Sequence, residues 1–418
     1  MTPATPAPRS TPATRSTPAS AGTGRAAGAT RRPGWRLIWI LPAGLALLAG
    51  LDAALLLLGL PAPVSGARLP QVHGALMVFG FVGTLIALER ATALGRWYGF
   101  LAPGLLGVGV VALLVDAVPL IAAKAVVAVG MAAFTLVYVP LWRRQHDAPL
   151  LTQLLGAALG CAGAVIWLGQ GSMERILPWL VAFVVLTIAA ERVELARITM
   201  GPSAGTRLLM HAWVVALALV VGVALPDLGA IALGIALLAL VAWLVVHDVA
   251  RRTIRATGAP RYMAACILCG YVWLAIAAGV LLFGWPRSSA ASDAIAHAVF
   301  LGYTISMIMA HATTILPAVL HIRLPYRPAF WVPVALLQLS LVVRLWLGDA
   351  LGLTAAWRIG GVLGEIALLG FVGVAIASAV RGSGRKDPGA RAKTSSGRAQ
   401  PASGPVAARR GDRADAAS

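Results

Sequence analysis

The chain has 418 residues, 59% of them hydrophobic and only 12% charged, where a soluble domain carries about 25% charged residues. That composition excludes a soluble globular protein, and apolar runs of about 20 residues recurring along most of the chain predict an all-α integral membrane protein. The net charge of +19 is not a nucleic-acid footprint, because the basic residues gather in two tails and in alternate short loops, which is an orientation signal.

In chain order, residues 1–34 are rich in Ala, Pro, Thr, Ser and Arg and contain no acid, so a disordered basic tail is predicted. No short apolar region with a cleavage site precedes the first span, which predicts an uncleaved start. Residues 35–381 form the membrane domain, with twelve predicted transmembrane helices. The first covers about 36–60 and ends at Pro61-Ala62-Pro63; the second covers 72–93. The stretch 98–142 is too long for one span and is split at Asp116–Pro119 into the third and fourth. The fifth and sixth are 150–168 and 176–195. A second overlong stretch, 208–246, is split at Pro226-Asp227 into the seventh and eighth. The ninth to twelfth fall at about 262–283, 292–320, 328–347 and 355–380. Residues 382–418 are polar and basic again and predict a second disordered tail, able to lie on anionic headgroups.

Charge orients this layout. The loops after spans 2, 4, 6, 8 and 10 hold most of the arginines, including Arg90, Arg96, Arg143, Arg144, Arg251, Arg252, Arg323 and Arg327. Of the 34 Lys and Arg, only Arg68, Lys124, Arg175, Arg287, Arg344 and Arg358 fall on the other side. Both termini, and so both basic tails, are therefore expected in the cytoplasm, in a multi-pass protein of a bacterial-type inner (plasma) membrane.

One internal echo supports a repeat. Ile86-Ala87-Leu88-Glu89-Arg90 at the end of span 2 matches Ile188-Ala189-Ala190-Glu191-Arg192 at the end of span 6. Span 10 lies four further on, which fits three repeats of four helices with spans 2, 6 and 10 equivalent.

His73 opens the apolar run of span 2, and His297 sits near the same, outer end of span 10. Two neutral imidazoles at one depth on facing helices form a possible axial pair for one haem iron. A slim face runs from His73 through Met77, Gly80, Thr84 and Ala87 at helical spacing. The alternative for that face is a small-residue packing surface with an interfacial histidine, and the two readings weigh about equally. A haem at this level brings two propionates that need cations; Arg68, Arg344 and Arg358 are the outer-side candidates.

His311 follows His297 by about 21 Å of helix. That places it near the cytoplasmic end, with Glu89, Arg90, Glu191, Arg192 and Glu194 as candidate neighbours. A proton path, a second haem or metal site, and a structural ion-pair cluster all fit, and the cluster is the leading reading. His146, His211, His247 and His321 read as interfacial. Cys266 and Cys269 have C-x-x-C spacing but lie in an apolar run, where small residues on a helix face are the leading reading.

The segment His73-Gly74-x-x-Met77-x-Phe79 resembles the second-span motif of haem-copper oxidase subunit I, whose histidine ligates the low-spin haem. The tenth span of that family carries the opposite ligand, which His297 matches in order and side, and twelve spans in three groups of four is also its layout. The resemblance implies that the loop between spans 11 and 12, near Arg344 and Arg358, supplies the propionate arginines. The run from His297 to His321, with Pro325 beyond, is similar to the late segment of NnrS-type proteins, twelve-span relatives described as haem- and copper-containing and linked to nitric oxide metabolism. The chain departs from the oxidase pattern. Span 6 has no histidine, His211 on span 7 is at the wrong end, and His297 stands alone on span 10. A terminal oxidase with a dioxygen-reducing haem-copper centre is therefore not expected, and no ligand set supports copper.

The expected function is a haem b membrane protein for electron transfer or nitric oxide response. Its expected partners are the lipid bilayer and an electron donor or small gas ligand, with no nucleic acid. A twelve-span secondary transporter and a non-catalytic accessory subunit are the competing readings. Whether the protein is an enzyme stays open.

Overall fold

A computed structural model describes residues 38–169 and 171–383. The tails expected at 1–34 and 382–418 lie outside the described residues, save Gly382 and Ser383. The described chain is all-α. Eleven helices are long and apolar enough to cross a membrane, and a shorter apolar helix precedes them. In order they are α1 (Leu41–Leu57), α2 (Arg68–Leu94), α3 (Trp97–Leu114), α4 (Leu120–Gln145), α5 (Ala148–Leu168), α6 (Met173–Leu195), α7 (Ala204–Ala224), α8 (Pro226–His247), α9 (Ala259–Leu281), α10 (Ser289–Leu320), α11 (Pro328–Ala350) and α12 (Thr354–Gly382). The protein is a multi-span helical membrane protein.

Both overlong stretches break where turn residues demand it. α3 ends at Leu114 and α4 starts after Pro119, while α7 ends at Ala224 and Pro226 opens α8. Proline is tolerated in a first turn, where its missing N–H would have no partner anyway. α6 and α10 start a turn earlier than hydropathy indicates. Ser172 and Ser288 cap them, each hydroxyl accepting from the backbone N–H three residues on. α2 also starts early, at Arg68, whose guanidinium donates to the carbonyls of Val115 and Val118 (2.9 and 2.7 Å) and so closes the end of α3.

Consecutive helices pack side by side around the bundle, and α12 returns to α1. α10 contacts both α6 and α2, and Arg90 of α2 reaches Glu191 of α6. These three are the most enclosed spans: 67% of the α2 window, 83% of α6 and 61% of α10 are buried, against at most 56% in any other. Helices 2, 6 and 10 are thus the most enclosed of the bundle. Lipid gives no hydrophobic drive between helices, so close approach is what holds them. Gly222 of α7 and Gly229 of α8 illustrate this: a side-chain carbon on Gly229 would overlap the Gly222 backbone.

Three π-helical segments interrupt the regular turns: Leu76–Gly83 in α2, Ala298–Ile305 in α10 and Val342–Ala350 in α11. Such wide turns concentrate at functional sites. Those in α2 and α10 follow His73 and His297 within three residues.

Candidate functional site

A cavity of about 480 Å³ opens among α1, α2, α6, α10, α11 and α12. Its walls are mostly apolar, with Leu51, Met77, Leu177, Phe300 and Leu301 among them. His73 and His297 both line it, as do Arg344, Trp357 and Glu365. An apolar cavity with a few convergent polar groups is the usual form of a ligand or cofactor site.

His73 is fixed by α1. Its Nδ1 lies 2.9 Å from the carbonyl of Gly50. A carbonyl only accepts, so Nδ1 carries the proton and Nε2 keeps its lone pair. Gly50 makes the approach possible, because a side-chain carbon there would stand 2.5 Å from the Met77 sulfur. Met77 thus packs between α1 and the cavity.

His297 is fixed from its own helix. Its Nδ1 lies 3.0 Å from the carbonyl of Asp293 and 3.1 Å from the Asp293 carboxylate. Both partners accept, so the proton again sits on Nδ1 and Nε2 is the free nitrogen. Among the described residues nothing hydrogen-bonds to Nε2 of either ring. Asp293 is held in turn by Arg344, through Nε (2.9 Å) and Nη2 (2.8 Å), and accepts from Trp357 Nε1 at 3.3 Å. The Arg344 guanidinium also lies 4.7 Å from the centre of the Trp357 ring. A carboxylate or carbonyl behind the far ring nitrogen is the usual support of a metal-bound histidine.

The π segment corrects the face drawn from His73. A wide turn advances the register, so below Met77 the cavity is lined by Val78 and Val82. Gly80 turns away, where a side-chain carbon would meet Ala46 of α1 and Val110 of α3. Thr84 is buried and does not line the cavity.

The basic candidates separate. Arg344 lines the cavity, and its Nη1 is left over after Asp293 takes the other two nitrogens. Arg358 is exposed, near Gly59, and does not line the cavity. Arg68 does not line the cavity: its Nη1 donates to the Val115 and Val118 carbonyls just after α3, while its Nε and Nη2 are buried without a hydrogen-bond partner among the described residues.

His311 belongs to a second, smaller cavity of about 100 Å³ towards the other end of the bundle, with Glu89, Glu191, Arg192 and Thr304 in its wall. Val82 borders both cavities. His311 donates from Nδ1 to the Met307 carbonyl and accepts at Nε2 from Arg192 Nη1, each at 2.8 Å. With both nitrogens engaged it has no lone pair for a metal, which corrects its reading as a ligand. Arg192 grips Asp248 at two points, 3.0 and 2.7 Å, and Tyr271 donates to the same carboxylate at 2.7 Å. Burial works to raise the pKa of Asp248, but the Arg192 hydrogen bonds and charge outweigh it, helped by Tyr271 and the Ala250 N–H, and hold the carboxyl below its ordinary value. Arg90 ties Glu89 (2.6 Å) to Gln153 (3.1 Å) and stands 3.8 Å from Glu191. This end is an ion-pair cluster.

His146 and His321 close α4 and α10 with left-handed backbones, φ 48° and 55°. Cys266 and Cys269 are free thiols. No three His, Cys, Asp or Glu converge on a metal position among the described residues.

The sequence reading missed Asp293, Trp357, Glu365, Asp248 and Gln153. For Asp293 a signal existed, since Asp-x-x-x-His places a carboxylate one helical turn behind an imidazole. The others act across helices and leave no local mark.

No curated protein and no solved structure matched the chain. The model of a family described as a domain of unknown function, DUF8744, matches residues 36–380. That match takes in the described bundle up to the last two residues of α12, with both histidines, so the chain belongs to the DUF8744 family.

Proposed function

We propose that the protein is a haem-binding integral membrane protein of the oxidase-like, NnrS-like kind, in which His73 and His297 hold one haem b for electron transfer. One observation carries the reading: two imidazoles on different helices border a single cavity, each with Nδ1 tied to an acceptor and Nε2 free. The residues fit the group. The walls are apolar, Arg344 keeps one nitrogen for a propionate, and Trp357 braces it. When bound, haem would supply one-electron chemistry. Cys266-x-x-Cys269 is followed by Gly270 rather than His, which speaks for haem b over covalent attachment.

The chain's own residues hold and insulate. His73 and His297 would both hold the group, and two histidine ligands favour electron transfer over nitric oxide binding. Asp293 keeps His297 in the tautomer that offers Nε2. The interior placement of α2, α6 and α10 supports the oxidase-like layout. With no histidine on α6, a copper-containing dioxygen-reducing centre is not part of the proposal. Charge asymmetry supports a reading with both termini in the cytoplasm and the histidine cavity toward the outer face of a bacterial-type plasma membrane.

The test is a reduced-minus-oxidised spectrum of full-length protein purified from cells supplied with haem. A Soret band with the α-band of a six-coordinate haem is expected. A colourless protein overturns the reading.

A further inference from the structure

One acid in the cavity wall has no structural employment. Glu365 lies on α12, on the face that carries Gly361, Gly364 and Leu368 into the same cavity as the histidines. It is 9% exposed, and its Oε1 is buried without a hydrogen-bond partner among the described residues.

Its surroundings do not neutralise it. Arg344 is the cation that acts on it, but two nitrogens of that guanidinium are already committed to Asp293. From α1, Asp52 acts on it with like charge, and Asp52 also leaves one buried oxygen unpartnered. From α11, Asp349 adds another acid beside Asp293. From α2 and α10 the titratable groups bordering the cavity are His73, Asp293 and His297, and from α6 the exposed Glu174. A carboxylate in a membrane interior without a dedicated cation is expensive, whereas the neutral acid is not. Its state therefore depends on what charge enters the cavity.

On the haem reading above, that charge changes by one. Two neutral imidazoles and a dianionic porphyrin leave an iron core with one positive charge when oxidised and none when reduced. We infer that Glu365 is the proton-accepting group of this cavity, binding one proton when the cofactor held by His73 and His297 gains an electron and releasing it on oxidation. The electron comes from a one-electron donor and the proton from water. The only bond formed is O–H on the Glu365 carboxylate, and oxidation reverses both transfers. Asp293 and Arg344 hold each other in an ion pair; Asp52 and Asp349 also leave a buried oxygen unpartnered but do not line the cavity, and Glu365 is the buried, unpaired acid that does.

The test is a redox titration of full-length, haem-loaded protein with dithionite and ferricyanide through quinone mediators, over about pH 5 to 9. A tenfold change in proton concentration converts to about 59 mV for a one-electron couple. The wild-type midpoint potential should fall with pH by up to that slope within a window. Glu365→Gln should flatten the window while keeping the Soret band and the six-coordinate spectrum, and Glu365→Asp should restore a slope. Reduced-minus-oxidised infrared spectra should show a protonated-carboxyl band in wild type that Glu365→Gln removes. Asp52→Asn should move the window to lower pH without flattening it, because a repelling charge is gone. A slope and carboxyl band that survive Glu365→Gln overturn the inference and leave the haem reading standing. A chain without a Soret band overturns both.

Discussion

His297 rests its Nδ1 3.1 Å from the carboxylate of Asp293, one turn earlier on α10. The same carboxylate holds Arg344 of α11 at two points. One acid therefore sets the tautomer of a candidate ligand and anchors the cation nearest the cavity. Changing it tests both functions together.

Asp293→Asn should keep the fold but weaken the support. Removing one partner of a largely buried ion pair costs about 3 kcal/mol or more, so the unfolding midpoint in detergent should drop clearly. Haem retention should fall by about 10-fold or more, the usual penalty for losing the group behind a metal-bound histidine. A variant with unchanged haem content and midpoint would show that Asp293 supports neither residue.

His73→Ala and His297→Ala should each convert a six-coordinate haem spectrum to a five-coordinate one or lose the pigment, and added imidazole should restore the original bands. The double variant should be colourless. Pigment with an unaltered spectrum in both single variants would place the ligands elsewhere.

Arg344→Gln should lower haem content, because the remaining guanidinium nitrogen makes no hydrogen bond among the described residues. Arg358→Gln should leave it unchanged, since that side chain is exposed and off the cavity. Haem content per protein, read from the pyridine haemochrome, checks both. The opposite ranking would move the propionate site towards α1 and the loop before α12.

At the other end, Asp248 stabilises the fold in its ionised form. Its folded carboxyl titrates below the ordinary value. The contribution is therefore complete above the unfolded carboxylate pKa and is lost as pH falls through the lower, folded one. Asp248→Asn should lower the unfolding midpoint at neutral pH by an amount corresponding to about 3 kcal/mol. The gap to wild type should narrow on acidification. A gap that stays constant or widens towards low pH would contradict the ion pair with Arg192.

Gly360→Ala tests the seam between α11 and α12. A side-chain carbon there would stand 2.6 Å from the backbone nitrogen of Arg344, so the helices must part. Overpacking of this kind costs about 1–3 kcal/mol. The matched control is Gly370→Ala on the same helix, where nothing lies within 4 Å; it should be neutral or slightly stabilising. Equal melting shifts for the two variants would remove the seam as the cause.

Much of the fold was legible because its signals are local. Span length follows from hydropathy, and Pro119 and Pro226 mark the two breaks inside overlong stretches. The depth match of His73 and His297 was legible from span order alone, since even-numbered helices run in one direction. The helix faces were not. The wide turns at Leu76–Gly83 and Ala298–Ile305 shift register by an amount no hydrophobic pattern records, so Val78 and Val82 border the cavity where regular spacing put Gly80 and Thr84.

By itself the sequence determined an all-α membrane bundle, the order of its helices and the shared depth of two histidines. Each of these depends on one segment's length and polarity against a membrane of given thickness. Only the tertiary structure decided who meets whom. Arg192 takes Asp248 from the end of α8 rather than its neighbour Glu191, His311 is consumed by that same arginine, and Gly50 and Asp293 select the tautomers of His73 and His297. Those pairings join residues distant in sequence or depend on local helix geometry, and within a membrane they follow from which small residues let two helices close and which polar atoms would otherwise be left without a partner.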